Sequence, residues 1–146
     1  MLGGKTMQER NLTIYFTSDL HSYIYPTDYR SQEEKDLGLF KCASQFQKDG
    51  NTLVIDGGDL LQGSPLGAFC HDTVGSAAQF AQIMNRCGYD YVTLGNHDFN
   101  YGMPYLDSYL DALRARCVCE NVRWAGGGVR FPARVHVLEN GLHIGI

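Results

Sequence analysis

Apolar residues fall along this chain in short runs separated by polar, glycine-rich stretches, and the runs alternate between two periods. Residues 12–17 (LTIYFT) are β-branched and aromatic, which predicts a first strand. Residues 34–48 put Leu37, Phe40, Cys42, Ala43 and Phe46 near helical spacing, so a helix is expected there, ended by Asp49-Gly50-Asn51. Residues 52–55 are apolar throughout, as in a strand buried on both faces of a parallel sheet. Residues 73–87 read as a second helix. Thr73 is placed as its N-cap, Ala77, Phe80, Ala81, Ile83 and Met84 form its apolar face, and Gly88 closes it. A third strand is expected over 89–94. A third helix covers 105–115, behind Pro104 at the position helices accept proline, with Leu106, Tyr109, Leu110 and Leu113 on one side. Residues 117–122 predict a fourth strand. Gly126-Gly127-Gly128 is a loop, 129–138 fits an antiparallel edge strand, Glu139-Asn140-Gly141 is a hairpin turn, and 142–146 opens another strand. The strand–helix alternation implies right-handed crossovers and a mainly parallel sheet, an α/β fold.

Composition changes this picture little. A chain of 146 residues suffices for one domain with a core, and 44% hydrophobic with 19% charged residues is ordinary. Charge is more informative. At a net −4 there is no basic footprint, so long nucleic acid is a poor partner. A small anionic substrate would be held by metal ions or backbone N–H groups. The five cysteines are irregularly spaced, odd in number and without a CxxC, which reads as free thiols at small apolar positions in a reducing compartment. Cys117 and Cys119 would share a face of one strand. No stretch has the length of a signal-peptide core or a membrane span, so the chain as given reads as cytoplasmic, with no membrane partner. The alternative is export to a periplasm or cell wall, with the leader removed. The apolar strand at 142–146 suggests a truncated chain.

The chemistry lies at strand ends. The first strand runs into Ser18-Asp19-Leu20-His21, the second into Asp56-Gly57-Gly58-Asp59, and the third into Gly95-Asn96-His97-Asp98. Asp, His and Asn are ligands for divalent cations, and three such ends suggest one site at the carboxyl edge of a sheet. Extended backbone would point Asp19 and His21 to one side. The paired glycines let the backbone turn sharply before Asp59, whose two oxygens can bridge two cations. Asp98 could orient a neighbour. Taken alone, Asp19 and His21 fit a satisfied surface pair better than a metal site. Tyr23, Tyr25 and Tyr29, in a loop over 22–33, are suited either to stack on a base or to pack that loop.

Jointly the three motifs resemble the calcineurin-like metallophosphoesterases. The stretches TSDLHS (17–22), GDLLQGSP (58–65) and GNHDFNYG (95–102) narrow the resemblance to the bacterial 5′-nucleotidase group. Asn100 stands where that group usually has Asp. With Tyr101-Gly102, Pro104-Tyr105-Leu106 and the stretch IYPTDY (24–29), it looks more like the 2′,3′-cyclic-nucleotide 2′-phosphodiesterase/3′-nucleotidase branch.

The resemblance implies a metallophosphoesterase sandwich, of which this chain is the N-terminal half, hydrolysing nucleotides with two divalent ions (Mn, Zn, Fe or Co). By resemblance Asp19 and His21 bind the first metal, Asp59 bridges both and Asn96 binds the second. His97 is the catalytic residue, as general acid or phosphoryl-oxygen stabiliser. Two cations neutralise phosphoryl oxygens and acidify the attacking water, and an imidazole can protonate the leaving ribose oxygen. Asn100 can hydrogen-bond this histidine but cannot pair with it as a charge; Asp98 could compensate. The family also uses later histidines and a C-terminal domain that stacks the base. His71, His136 and His143 match none of those motifs, and His136 reads as an outward strand position. The missing C-terminal half is therefore an expected partner. The alternatives are a 5′-nucleotidase, or a non-catalytic metal-binding fragment or scaffold.

Overall fold

The computed structural model describes residues 9–31 and 33–146. Four strands form a parallel sheet in the order β1 (Thr13–Thr17), β2 (Thr52–Asp56), β3 (Tyr91–Val92) and β4 (Arg116–Cys117). The connections carry the helices α1 (Leu39–Ala43), α2 (Pro65–Phe69), α3 (Ala78–Cys87) and α4 (Met103–Ala112). Sequential parallel neighbours joined by crossovers of one hand place those helices on one face of the sheet. The main core lies there, built from Leu39, Val54, Phe80, Ala81, Met84, Val92, Leu106 and Tyr109. Each fully buried Leu, Val, Phe or Met side chain among them contributes about 1.5–3 kcal/mol. The opposite face is partly covered by the hairpin of β7 (Val135–Val137) and β8 (His143–Gly145), whose Leu138 joins Leu53 and Tyr91 in a second cluster. β2 is thus buried on both faces, as its unbroken apolar run predicts. Ile14 and Phe16 of the edge strand β1 remain exposed on that second face.

Several boundaries differ from the periodicity. The helix expected over 34–48 is helical only at α1. Gly38 has φ 86°, and a Cβ there would collide with the Tyr25 carbonyl. The preceding segment is pinned to the tyrosine loop, with Lys35 N–H on Pro26 O (2.8 Å) and Leu39 N–H on Tyr23 O (2.9 Å). The helix expected from Thr73 begins at Ala78. Thr73 lies in a π-helical turn, Cys70–Val74, which Gly75 ends at φ 70°. The N–H of Ala77 is taken by Ser108 Oγ of α4 (2.8 Å), not by a local cap. α2 is set by a local cap: Ser64 Oγ accepts the Gly67 N–H (3.2 Å) and Pro65 starts the helix.

The expected fourth strand divides. Val118 N–H makes the last bond to β3, on Val92 O (2.9 Å), and β5 (Cys119–Arg123) then pairs antiparallel with β6 (Val129–Phe131). Cys117 and Cys119 are therefore on different strands. The edge strand expected over 129–138 is two strands in two hairpins, interrupted at Pro132, which has no N–H to give a ladder. The Glu139-Asn140-Gly141 turn joins β7 to β8 as expected, with Gly141 N–H on Leu138 O (2.9 Å). All five cysteines are free; Cys70 and Cys119 are buried, while Cys42 is exposed.

Candidate metal centre

The register aligns the strand ends: Thr17 lies opposite Asp56, and Asp56 opposite Val92. Three loops therefore leave the sheet at one level. Main-chain bonds tie the first two together. Asp19 N–H donates to Gly58 O (2.9 Å), His21 N–H to Asp59 O (2.9 Å) and Ser64 N–H to His21 O (2.8 Å). Asp19, His21 and Asp59 have φ of 53°, 47° and 57°, the left-handed region that costs a non-glycine residue about 1–3 kcal/mol. Asp19 and His21 do share a side, but through this strained backbone and not through the extended one expected.

The strain gathers ligands. One ligand atom from each of Asp19, His21 and Asp59 lies within 4.8 Å of the others. His21 Nε2 is 3.9 Å from Asp19 Oδ1, while its Nδ1 meets the Gln62 carbonyl at 2.7 Å. A carbonyl only accepts, so Nδ1 carries the proton and the Nε2 lone pair faces the carboxylates. This is the tautomer a metal needs. Asp59 Oδ1 also accepts the His97 N–H (2.8 Å), which binds the third loop to the second. Gly95 must be glycine, because a Cβ there would strike Asp59 Oδ1. Asn96 is exposed and opens the 3₁₀ turn Asn96–Phe99 beside this cluster. The His97 ring stands edge-on to His21, with centroids 5.3 Å apart.

Asp98 does not support His97. It is 2% exposed, and its carboxylate is turned into the protein. Oδ2 accepts from Asp59 N–H (2.8 Å) and Gly95 N–H (2.9 Å), and Oδ1 from Leu60 N–H (2.9 Å) and Leu61 N–H (3.0 Å). Burial pushes this carboxyl up, against the pull of those four donors. Its task is to hold the second and third loops in register. Asn100 does meet His97, Nδ2 lying 3.0 Å from Nδ1, and both face the side chain of Gln62. Gln62 and the buried Asp56 have roles that the motifs alone did not assign. The signal for Gln62 was its place three residues after Asp59, beside a glycine. Asp56 ends an apolar strand, where a carboxylate needs donors: it takes Thr17 Oγ (2.5 Å) and Gly58 N–H (3.0 Å).

The remaining histidines lie elsewhere. His71 pairs with Asp72 (2.7 Å) and stacks on Tyr101. His136 bonds Tyr91 OH (3.0 Å), beside Arg114 and Arg116, residues that precede or begin β4 and so lie at the other end of the sheet. Of the loop tyrosines, Tyr29 donates to Ser22 O (3.4 Å) and Tyr25 packs edge-on to Phe40, while Tyr23 is exposed. Among the described residues, the three-ligand cluster is the group of His, Cys, Asp and Glu arranged to hold a cation. Its oxygen and imidazole donors, with the oriented Nε2, suit a divalent transition metal.

A parallel sheet that gathers such a cluster at its carboxyl edge defines an α/β protein built around a candidate divalent-metal site. The calcineurin-like phosphoesterase profile matches residues 12–143, and the chain belongs to that family, whose members use divalent metals. It is 37% identical over 137 residues to the trifunctional nucleotide phosphoesterase protein YfkN of Bacillus subtilis, covering 86% of this chain and 9% of that protein. It is 34% identical over 120 residues to the 2′,3′-cyclic-nucleotide 2′-phosphodiesterase/3′-nucleotidase of Yersinia enterocolitica, covering 77% and 18%. The crystal structure of the calcineurin-like phosphoesterase YfkN from B. subtilis superposes with a TM-score of 0.73 at 32% identity, over 92% of this chain and 46% of that one. The chain thus spans under a fifth of the length of these two curated relatives.

Proposed function

We propose that this chain carries the N-terminal metal-binding part of a phosphoesterase that hydrolyses nucleotides, with 2′,3′-cyclic and 3′-phosphorylated nucleotides as its substrates. The observation that carries this reading is the cluster of Asp19, His21 and Asp59 at one edge of the sheet, with Asn96 and His97 on the adjoining turn. In it Asp19 and His21 would hold one divalent ion, Asp59 would serve both, and Asn96 would serve a second. Further ligands come from sequence outside residues 1–146. When bound, the ions supply Lewis acidity toward the phosphoryl oxygens and an acidified water as nucleophile.

The chain's own residues orient that chemistry. The left-handed turns aim Asp19, His21 and Asp59 at one point. The Gln62 carbonyl fixes the His21 tautomer. With Nδ1 of His97 turned to the side-chain oxygen of Gln62, Nε2 is the nitrogen left to face substrate and, as the imidazolium, to give a proton to the leaving ribose oxygen. Asn100, and the names of the Yersinia and B. subtilis relatives, favour the cyclic and 3′ substrates.

Phosphate release from 2′,3′-cyclic AMP, 3′-AMP and 5′-AMP by a protein containing this chain tests the reading. The first two should be turned over in preference to the third. Turnover should vanish in Asp59→Ala and fall about 10²–10⁴-fold in His97→Ala. Preference for 5′-AMP would instead make it a 5′-nucleotidase, and near-normal turnover in Asp59→Ala would remove the proposed site. A scaffold role would show as metal binding without turnover of any of the three.

A further inference from the structure

We propose that Gln62 is a positioning residue that sets the ring tautomer of both histidines of the site, one through its main chain and one through its side chain. The inference rests on the roles proposed above for His21 and His97. The Gln62 carbonyl accepts from His21 Nδ1 at 2.7 Å. Its side-chain Oε1 lies 3.1 Å from His97 Nδ1 and 2.5 Å from Asn100 Nδ2. Asn100 Nδ2, a donor, also lies 3.0 Å from His97 Nδ1, a contact that favours the opposite tautomer, but its shorter bond, 2.5 Å, goes to the Gln62 oxygen. An amide oxygen accepts two hydrogen bonds and donates none, so it selects the Nδ1–H form of His97. Both rings then present Nε2 outward, and their 5.3 Å edge-on contact brings the two positions side by side.

The backbone at this point is fixed independently of the Gln62 side chain. Gly63 has φ 141°, and a Cβ there would lie 2.6 Å from His21 Cβ, so the main chain itself cradles the His21 ring. Ser64 N–H holds the His21 carbonyl, and Ser64 Oγ holds the Ser22 carbonyl, each at 2.8 Å. Truncating Gln62 should therefore release His97 and leave His21 in place. A residue that merely stabilised the loop would affect both rings together.

Two-bond proton–nitrogen correlation spectra of the nitrogen-15-labelled, metal-free chain at pH 8 read the two tautomers directly. Ring signals are assigned with His21→Gln and His97→Gln. In the wild type both rings should be Nδ1–H. Gln62→Met keeps the shape but removes the acceptor, and should lower the Nδ1–H to Nε2–H ratio of His97 about five-fold, the worth of one hydrogen bond. Gln62→Glu keeps an acceptor oxygen and should restore it. Gln62→Asn withdraws the oxygen by one methylene and should repeat the loss, which gives the test a second variant if Gln62→Met does not fold. His21 should stay Nδ1–H throughout. An unchanged His97 ratio, a wild-type His97 that is mainly Nε2–H, or the two rings shifting together would each overturn the inference. No metal or substrate is involved, so failure of the phosphoesterase reading would leave this result standing.

Discussion

Asp56 offers a sharp test of how the site edge is balanced. Its carboxyl closes β2 and is 1% exposed. Burial pushes it from 3.8 up to about 6, against the lowering pull of the Thr17 hydroxyl and the Gly58 N–H. The folded state thus binds this proton more tightly than the unfolded chain. The group favours folding when protonated, and stability drops as pH rises from about 4 to about 6. At 1.36 kcal/mol per pH unit the loss reaches about 3 kcal/mol by neutral pH. Asp56→Asn removes the titration and keeps the bonds. Its Oδ1 can accept from Gly58 N–H, its Nδ2 can donate to Thr17 Oγ, and Thr17 can then donate to Tyr89 OH, 2.7 Å away in a pair that works in either direction. Urea unfolding of both proteins at pH 4, 5, 6 and 7, with chelator present, reads the effect, because titrating groups that do not face Asp56 cancel in the difference and Asp98 and Asp19, whose charges also push Asp56 up, act as smaller contributions. The variant should be more stable at pH 7 by up to about 3 kcal/mol, and the two should agree within about 1 kcal/mol at pH 4. A gap that stays constant from pH 4 to pH 7 would refute the reasoning.

Other perturbations follow from the same loops. Asp98→Ala leaves four backbone N–H groups without their acceptor and should cost about 3–4 kcal/mol, read as a lower urea midpoint at unchanged slope. Gly95→Ala forces a methyl into Asp59 Oδ1 and should cost about 1–3 kcal/mol, whereas Gly126→Ala, which meets no neighbouring atom, should stay within about 0.5 kcal/mol. Gly95→Ala should also weaken Mn²⁺ binding about ten-fold or more in equilibrium dialysis, since it displaces an Asp59 oxygen; unaltered affinity would mean that Asp59 is not a ligand. Asp59→Ala should abolish tight binding of Mn²⁺ and Zn²⁺ in the same assay, and a variant that still retained them would place the ions elsewhere.

What the sequence revealed and what it concealed divide along a physical line. That Asp19, His21 and Asp59 gather at one edge was legible because each follows closely on an apolar run read by local pattern alone, and the ends of neighbouring parallel strands lie together. The elements that were misread depend on contacts distant in sequence. Leu37 and Phe40 have helical spacing, yet Gly38 sits under the Tyr25 carbonyl and the segment follows the tyrosine loop. Thr73 is a sound N-cap by residue type, yet α3 starts five residues later, where Ser76 Oγ accepts the Ala78 N–H (3.2 Å) and Ser108 of α4 accepts the Ala77 N–H. Residues 117–122 look like one strand, yet β3 accepts only as far as Val118, and the chain then finds β6. Asp98 shows the same limit inside the site. Next to His97 in sequence, it invited the role of partner, but the four N–H groups of the second and third loops claim its oxygens. Gln62, 35 residues away, takes the place beside that ring instead. In this fold the residues that would touch metal are declared by their own chemistry, while those that aim them are declared only by where the loops close.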